Sequence, residues 1–168
     1  MFDTFIESTL LMFVAIDPIS LIPIFAGLTS GLNKEQIRSI YTRAALVSFF
    51  VLSAFWLFGT SILDVMNISM DSFKIIGGLF LIVIAFQMVF EQRQERRQST
   101  ADNAIDDETI KSIAIFPLAI PLIAGPGAMT TSLLLSKEEY ANFADAAVSY
   151  LPILTVLFIA TLAMWLSS

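Results

Sequence analysis

Five apolar runs, each about as long as a bilayer's hydrocarbon core is thick, leave this chain few folds to choose from. They extend from Phe5 to Leu28, Tyr41 to Leu63, Phe73 to Phe90, Ile113 to Leu135 and Ala146 to Leu166. A helix crosses a membrane with about 20 mostly apolar residues. Backbone in hydrocarbon must also satisfy its own hydrogen bonds, which a helix does. The expected fold class is therefore all-α, a polytopic transmembrane helical bundle. Of the 168 residues 57% are hydrophobic and 14% charged, whereas a soluble domain carries about 25% charged residues.

The missing residue types exclude several chemistries. The chain has no Cys and no His. Disulfides, thiolate metal sites, thiol nucleophiles and imidazole bases are thereby excluded. Nothing in the sequence asks for a cofactor or a metal. The net charge of −6, with its acidic excess in loops, argues against nucleic acid as a partner and leaves the lipid bilayer as the first one. The first residues carry Asp3 and Glu7 and no basic residue, unlike the n-region of a signal peptide, so the first apolar run is read as part of the mature protein.

Basic residues set the expected orientation. Lys34, Arg38 and Arg43 fall around the first loop, and Arg93, Arg96, Arg97 and Lys111 in the third, seven of the nine in the chain. Short loops rich in Lys and Arg stay in the cytoplasm. The N-terminus is then outside, and the polar stretch 91–112, read as a solvated, partly helical or disordered linker, is cytoplasmic. Residues 1–90 form a first three-helix unit, and 113–168 a second unit with two.

Prolines break this pattern in two places. Five of the six lie in the first and fourth runs: Pro18 and Pro23, then Pro117, Pro121 and Pro126. A proline inside a helix removes one hydrogen bond and clashes with the preceding turn. Such a break persists in a membrane only where protein buries it or water reaches it. Asp17-Pro18 reads as the start of a second half-helix, with Asp as N-cap and Pro at the first helical position. Asp17 is also the one charged residue well inside an apolar run, and a carboxylate there costs about 2.5–3.5 kcal/mol on insertion scales. Two compatible roles follow: capping the break, or binding a solute or proton. Gly125-Pro126-Gly127 is the second break, its glycines allowing positive φ or close backbone approach. It is either a kink for helix packing or a place where freed N–H groups meet an anion or carboxylate. Thr130 and Thr131 add hydroxyls one turn on.

The two interrupted runs resemble each other, each ending in Lys-Glu (Lys34-Glu35, Lys137-Glu138). Three spans separate their starts, so they enter from opposite sides. An inverted 3+3 repeat with a site near the midplane is the expectation. Gly77-Gly78 reads as a close helix approach. Gln87 needs a polar partner, either across a helix interface or at a cavity edge. The phenylalanines of the second run read as lipid-facing or packing surface.

Asp17-Pro18-Ile19, Pro23-Ile24-Phe25 and Leu28-Thr29, followed a hundred residues later by Pro117-Leu118-Ala119-Ile120-Pro121-Leu122 and Gly125-Pro126-Gly127-Ala128, resemble the two motifs of the MarC family of bacterial inner-membrane proteins. Gly77-Gly78 and the run after it fit that family's third helix. The resemblance implies an architecture like that of LysE-type exporters and a transport role, with no substrate attached. Family members usually carry Gly-Asn where this chain has Ser20-Leu21, and they have a sixth helix. The chain is therefore expected to be truncated before its last helix, unless a partner subunit supplies that surface.

The functional expectation is a secondary transporter or exporter of a small solute in the bacterial inner membrane. Asp17, Pro18, Ser20, Gly125, Pro126, Gly127, Thr130 and Thr131 are its candidate site, with Pro23, Gln87 and Pro121 secondary. The alternative is a non-transporting assembly or regulatory protein. An intramembrane enzyme is the least expected class, because a lone buried carboxylate lacks the second one an aspartyl mechanism needs. Homo-oligomerisation stays open.

Overall fold

The computed structural model describes residues 2–69, 71–73, 75–76, 78–79, 82, 86, 107–136 and 143–168. Among them the chain is all-helical. Helix α1 covers Phe2–Ile16 and α2 covers Pro18–Leu28. Helix α3 covers Lys34–Val65, α4 Asp107–Ile113 and α5, a wide-turned π-type stretch, Ala114–Ile123. Helices α6 and α7 cover Pro126–Leu135 and Phe143–Leu166.

Three spans, Thr4–Leu28, Lys34–Gly59 and Asp145–Leu166, are long and apolar enough to cross a membrane, and the bent pair Ile110–Ile123 with Pro126–Leu135 counts as a fourth. These are the first, second, fifth and fourth apolar runs. Most of the third run, with Gly77 and Gln87, lies outside the described residues, as does 91–106 of the polar stretch. The end of that stretch, Asp107–Ile113, is helical and packs on α3 and α5. At Gly78 a Cβ would meet nothing within 4 Å, so no close approach is built there among the described residues.

Helix α3 starts seven residues before the apolar run it contains. The cause is local: Asn33 and Gln36 form a reciprocal capping box, which satisfies two otherwise orphaned donors. At 32 residues it reaches roughly 48 Å. Lys34, Arg38 and Arg43 thus stand on its first turns, with Arg43 Nε donating to Ser39 Oγ at 2.9 Å.

Helix α3 is also the central post. It packs against α4, α5, α6 and α7, while α1 packs against α6 and α7, and α2 against α7. Ile40, Ala44, Ser48 and Leu52 recur every fourth residue on α3, and all are fully buried. That spacing keeps one helix face continuous. One core joins Ile40, Ala44 and Leu52 to Met12 and Ile16 of α1, Leu21 and Phe25 of α2, Ala119 and Ala128 beside the second break, and Ile153 of α7. The opposite faces carry exposed apolar side chains such as Val14, Ile19, Phe50 and Phe158, as expected of a surface turned to lipid.

Candidate functional site

The first break is a single residue. Asp17 sits at φ 48° and ψ 67°, in the left-handed region, where Asp and Asn are tolerated better than other side chains. Its N–H still donates to the Phe13 carbonyl at 2.8 Å, and its own carbonyl accepts from Leu21 N–H at 3.3 Å. The carboxylate caps α2: Oδ1 accepts from the Ser20 N–H at 3.3 Å, and Oδ2 from the Ser20 hydroxyl at 2.5 Å. Pro18 occupies the first helical position, where its missing N–H costs nothing. Asp17 and Ser20 are exposed and Pro18 is buried. Pro23 is exposed inside α2.

The second break is longer, and its centre around Gly125 is buried. The backbone is extended at Phe116 (φ −132°, ψ 125°) and at Ile120 (φ −127°, ψ 121°). Each immediately precedes a proline, which disfavours the helical region for its predecessor. The segment bends by 58° between Ile123 and Pro126. Ala119, Ile123, Ala124 and Ala128 are fully buried, and Pro121 and Gly125 are buried with them. Gly125 has φ −77° and ψ 171°, an ordinary extended conformation, so positive φ is not why glycine stands here. Proximity is the reason: a Cβ on Gly125 would collide with the Pro121 carbonyl oxygen.

Thr130 and Thr131 turn back on their own helix, donating to the carbonyls of Pro126 at 2.7 Å and Gly127 at 2.9 Å. The two breaks thus close their side-chain hydrogen bonds locally, and none of the described bonds of Asp17 or Ser20 crosses to the Gly125 side. What they share is the core between them, to which Ile16 and Leu21 contribute from one break and Ala124 and Ala128 from the other.

Sequence reasoning did not single out the bonds that tie separate helices together. Ser132 Oγ of α6 donates to the Leu52 carbonyl at 2.8 Å, and Ser53 of α3 hydrogen-bonds the Tyr150 hydroxyl of α7. The Tyr150 ring also lies 5.1 Å, centroid to centroid, from Trp56. Both bonds land on one turn of α3. Serine in an apolar run gives no signal of this, because it can equally well bond its own helix.

Apolar helices long enough to span, packed around one core, with two spans interrupted inside the apolar zone, define a multi-pass integral membrane protein. Over residues 2–168 the chain matches the description "MarC family integral membrane protein". It belongs to that family. It is similar to a UPF0056 membrane protein of Methanocaldococcus jannaschii, at 37% identity over 93% of this chain and 68% of the relative. A UPF0056 membrane protein of Archaeoglobus fulgidus is 34% identical over 90% and 68%, and one of Bacillus subtilis 32% identical over 81% and 64%. The chain thus spans about two thirds of the length of these relatives. No solved structure matches it.

Proposed function

We propose that this chain serves as a secondary transporter or exporter of a small solute, and not as an enzyme. The observation that carries the reading is the second break: Gly125 and its neighbours interrupt a spanning helix while buried in protein. An interrupted backbone in a membrane is sustained where protein buries it or where it lines a cavity, and such places serve transporters as binding sites. Both breaks restart with proline at the first helical position, Pro18 and Pro126, which supports an inverted repeat. In this proposal Asp17 is the coupling or substrate carboxylate, Gly125 and Gly127 offer backbone groups, and Ser20, Thr130 and Thr131 offer hydroxyls. The membrane is the bacterial inner membrane, with the N-terminus outside and 91–112 in the cytoplasm.

Rocking one half of such a repeat against the other would have to break the Ser132–Leu52 and Ser53–Tyr150 bonds, since both join α3 to the second half. One observation favours the second reading, a protein in which the breaks only shape packing: Asp17 is already satisfied by Ser20.

Thiol accessibility separates the two readings, because the chain contains no Cys. Cys placed at Ser20 and at Thr130 is expected to react with a membrane-impermeant thiol reagent in intact cells or inverted vesicles. If both stay unlabelled in every condition, the transport reading fails. A comparison of solutes retained by cells with and without the protein would then name the substrate.

A further inference from the structure

The break at Asp17 gathers oxygen atoms and leaves them short of positive charge. A helix ends in carbonyls that find no donor in a following turn. In α1 the Phe13 carbonyl still receives the Asp17 N–H. The Val14 carbonyl loses its donor because residue 18 is proline. No backbone turn closes across Asp17 from Ala15 or Ile16 either. These carbonyls end α1 next to the Asp17 carboxylate and the Ser20 hydroxyl. Ser20 gives its N–H to Oδ1 and its hydroxyl proton to Oδ2. The lone pairs left on these oxygens are acceptors only.

Hydrogen bonds answer the lone pairs of Asp17 but not its charge. The negative end of α1 and the positive end of α2 meet at this residue, each worth roughly half a unit, and offset one another. The full charge of the carboxylate is left. No Lys or Arg precedes Lys34 in the chain, and α6 and α7, which pack on α1 and α2, carry none. Asp17 lies midway along the Thr4–Leu28 span and is exposed. Val14, Ile19 and Ile22 are exposed around it. Lipid chains offer nothing to a carboxylate at that depth, so its counter-ion has to arrive from water.

We propose that this break binds one small monovalent cation of the alkali class, coordinated by the Asp17 carboxylate, the Ser20 hydroxyl oxygen and carbonyl oxygen at the end of α1. Ligands that are all oxygen suit a hard cation, and oxygens on opposite sides of one lie about 5 Å apart. Val14 and Asp17 are separated by a rise of roughly 4.5 Å, so the chain itself holds the two groups within that span. A divalent ion draws on more carboxylates, and among the described residues no group of three acidic side chains could hold one. The inference deepens the transport reading and rests on it only in making this cation the coupling ion. The site itself stands on the oxygens of residues 14–20 and on the missing countercharge.

The test is scintillation proximity with radiolabelled sodium on the purified full chain in detergent, at constant ionic strength. Unlabelled sodium chloride should displace the label saturably, while choline chloride, whose cation is too bulky for such ligands, should not. Asp17→Asn keeps the cap and removes the charge, and should weaken sodium binding about tenfold or more. Ser20→Ala should raise the half-saturating sodium concentration about fivefold. Glu7→Gln, an exposed acid of α1 away from the break, should leave it unaltered. No saturable displacement by sodium in neutral or alkaline buffer, equal displacement by choline, or an unchanged affinity in a folded Asp17→Asn protein would overturn the site. The sodium–choline comparison on the unaltered chain decides the matter even if a variant fails to fold. Flux in reconstituted vesicles is read separately: cation binding without flux removes the transport reading and keeps the site, and flux without cation binding does the reverse.

Discussion

The two breaks look alike in sequence and differ in structure. At Asp17 one left-handed residue is inserted and the helix resumes, so that Thr4–Leu28 still counts as a single span of 25 residues. Around Gly125 the chain passes two extended residues, an uncapped helix start and a 58° bend. The first break carries its own solution, because a carboxylate three residues from a serine caps the new helix. The second has no polar side chain at its cap, so packing must hold it: alanines and a glycine let the backbone fold back on itself within the protein. A break that is satisfied locally can stand at the surface, whereas one that is not has to be buried.

Substitutions at three positions probe that contrast. The largest effect is expected from Gly125→Ala. Its Cβ meets the backbone carbonyl of Pro121, which cannot swing aside like a side chain, and a loss of about 3 kcal/mol is expected. Denaturant titration of the purified protein, followed by circular dichroism, measures it. A stability equal to that of the parent protein would mean the second break is not held by close packing.

Next comes Asp17→Ala, which loses the cap and places a less tolerant residue in the left-handed region; about 2 kcal/mol is expected. Asp17→Asn keeps both the cap and the backbone preference and should cost only a few tenths of that in the same titration. On the transport reading Asp17→Asn nevertheless abolishes flux with insertion intact. Flux that survives would reduce Asp17 to a cap.

The smallest change is expected at Gly27, on the exposed face of α2, where an added Cβ meets nothing within 4 Å. Gly27→Ala should be neutral or stabilise by up to about 1 kcal/mol through helix propensity. A loss comparable to that at Gly125 would show that this face of α2 is covered by something packed against it.

How far the sequence reaches can be judged from particular residues. Hydrophobic runs located the first, second, fourth and fifth spans, because the cost of exposing backbone to hydrocarbon depends on composition and length alone. Asp17-Pro18 was legible as a cap and a restart because the chemistry is complete within four residues. Asn33 and Gln36 carried an equally local signal, and it moves the start of α3 away from the hydrophobic boundary.

The rest was decided between residues far apart in the chain. Ser132 lies 80 positions from Leu52 and Tyr150 lies 97 from Ser53, and nothing near either serine distinguishes it from one bonded to its own helix. That Gly125 is buried and Asp17 exposed, and that the Ser48 hydroxyl is buried without a hydrogen-bond partner, depends on which helix covers which face. Sterics and hydrophobicity act over a few neighbours and are written in order along the chain; packing selects among helix faces that local sequence leaves equivalent, and only the assembled bundle makes that choice.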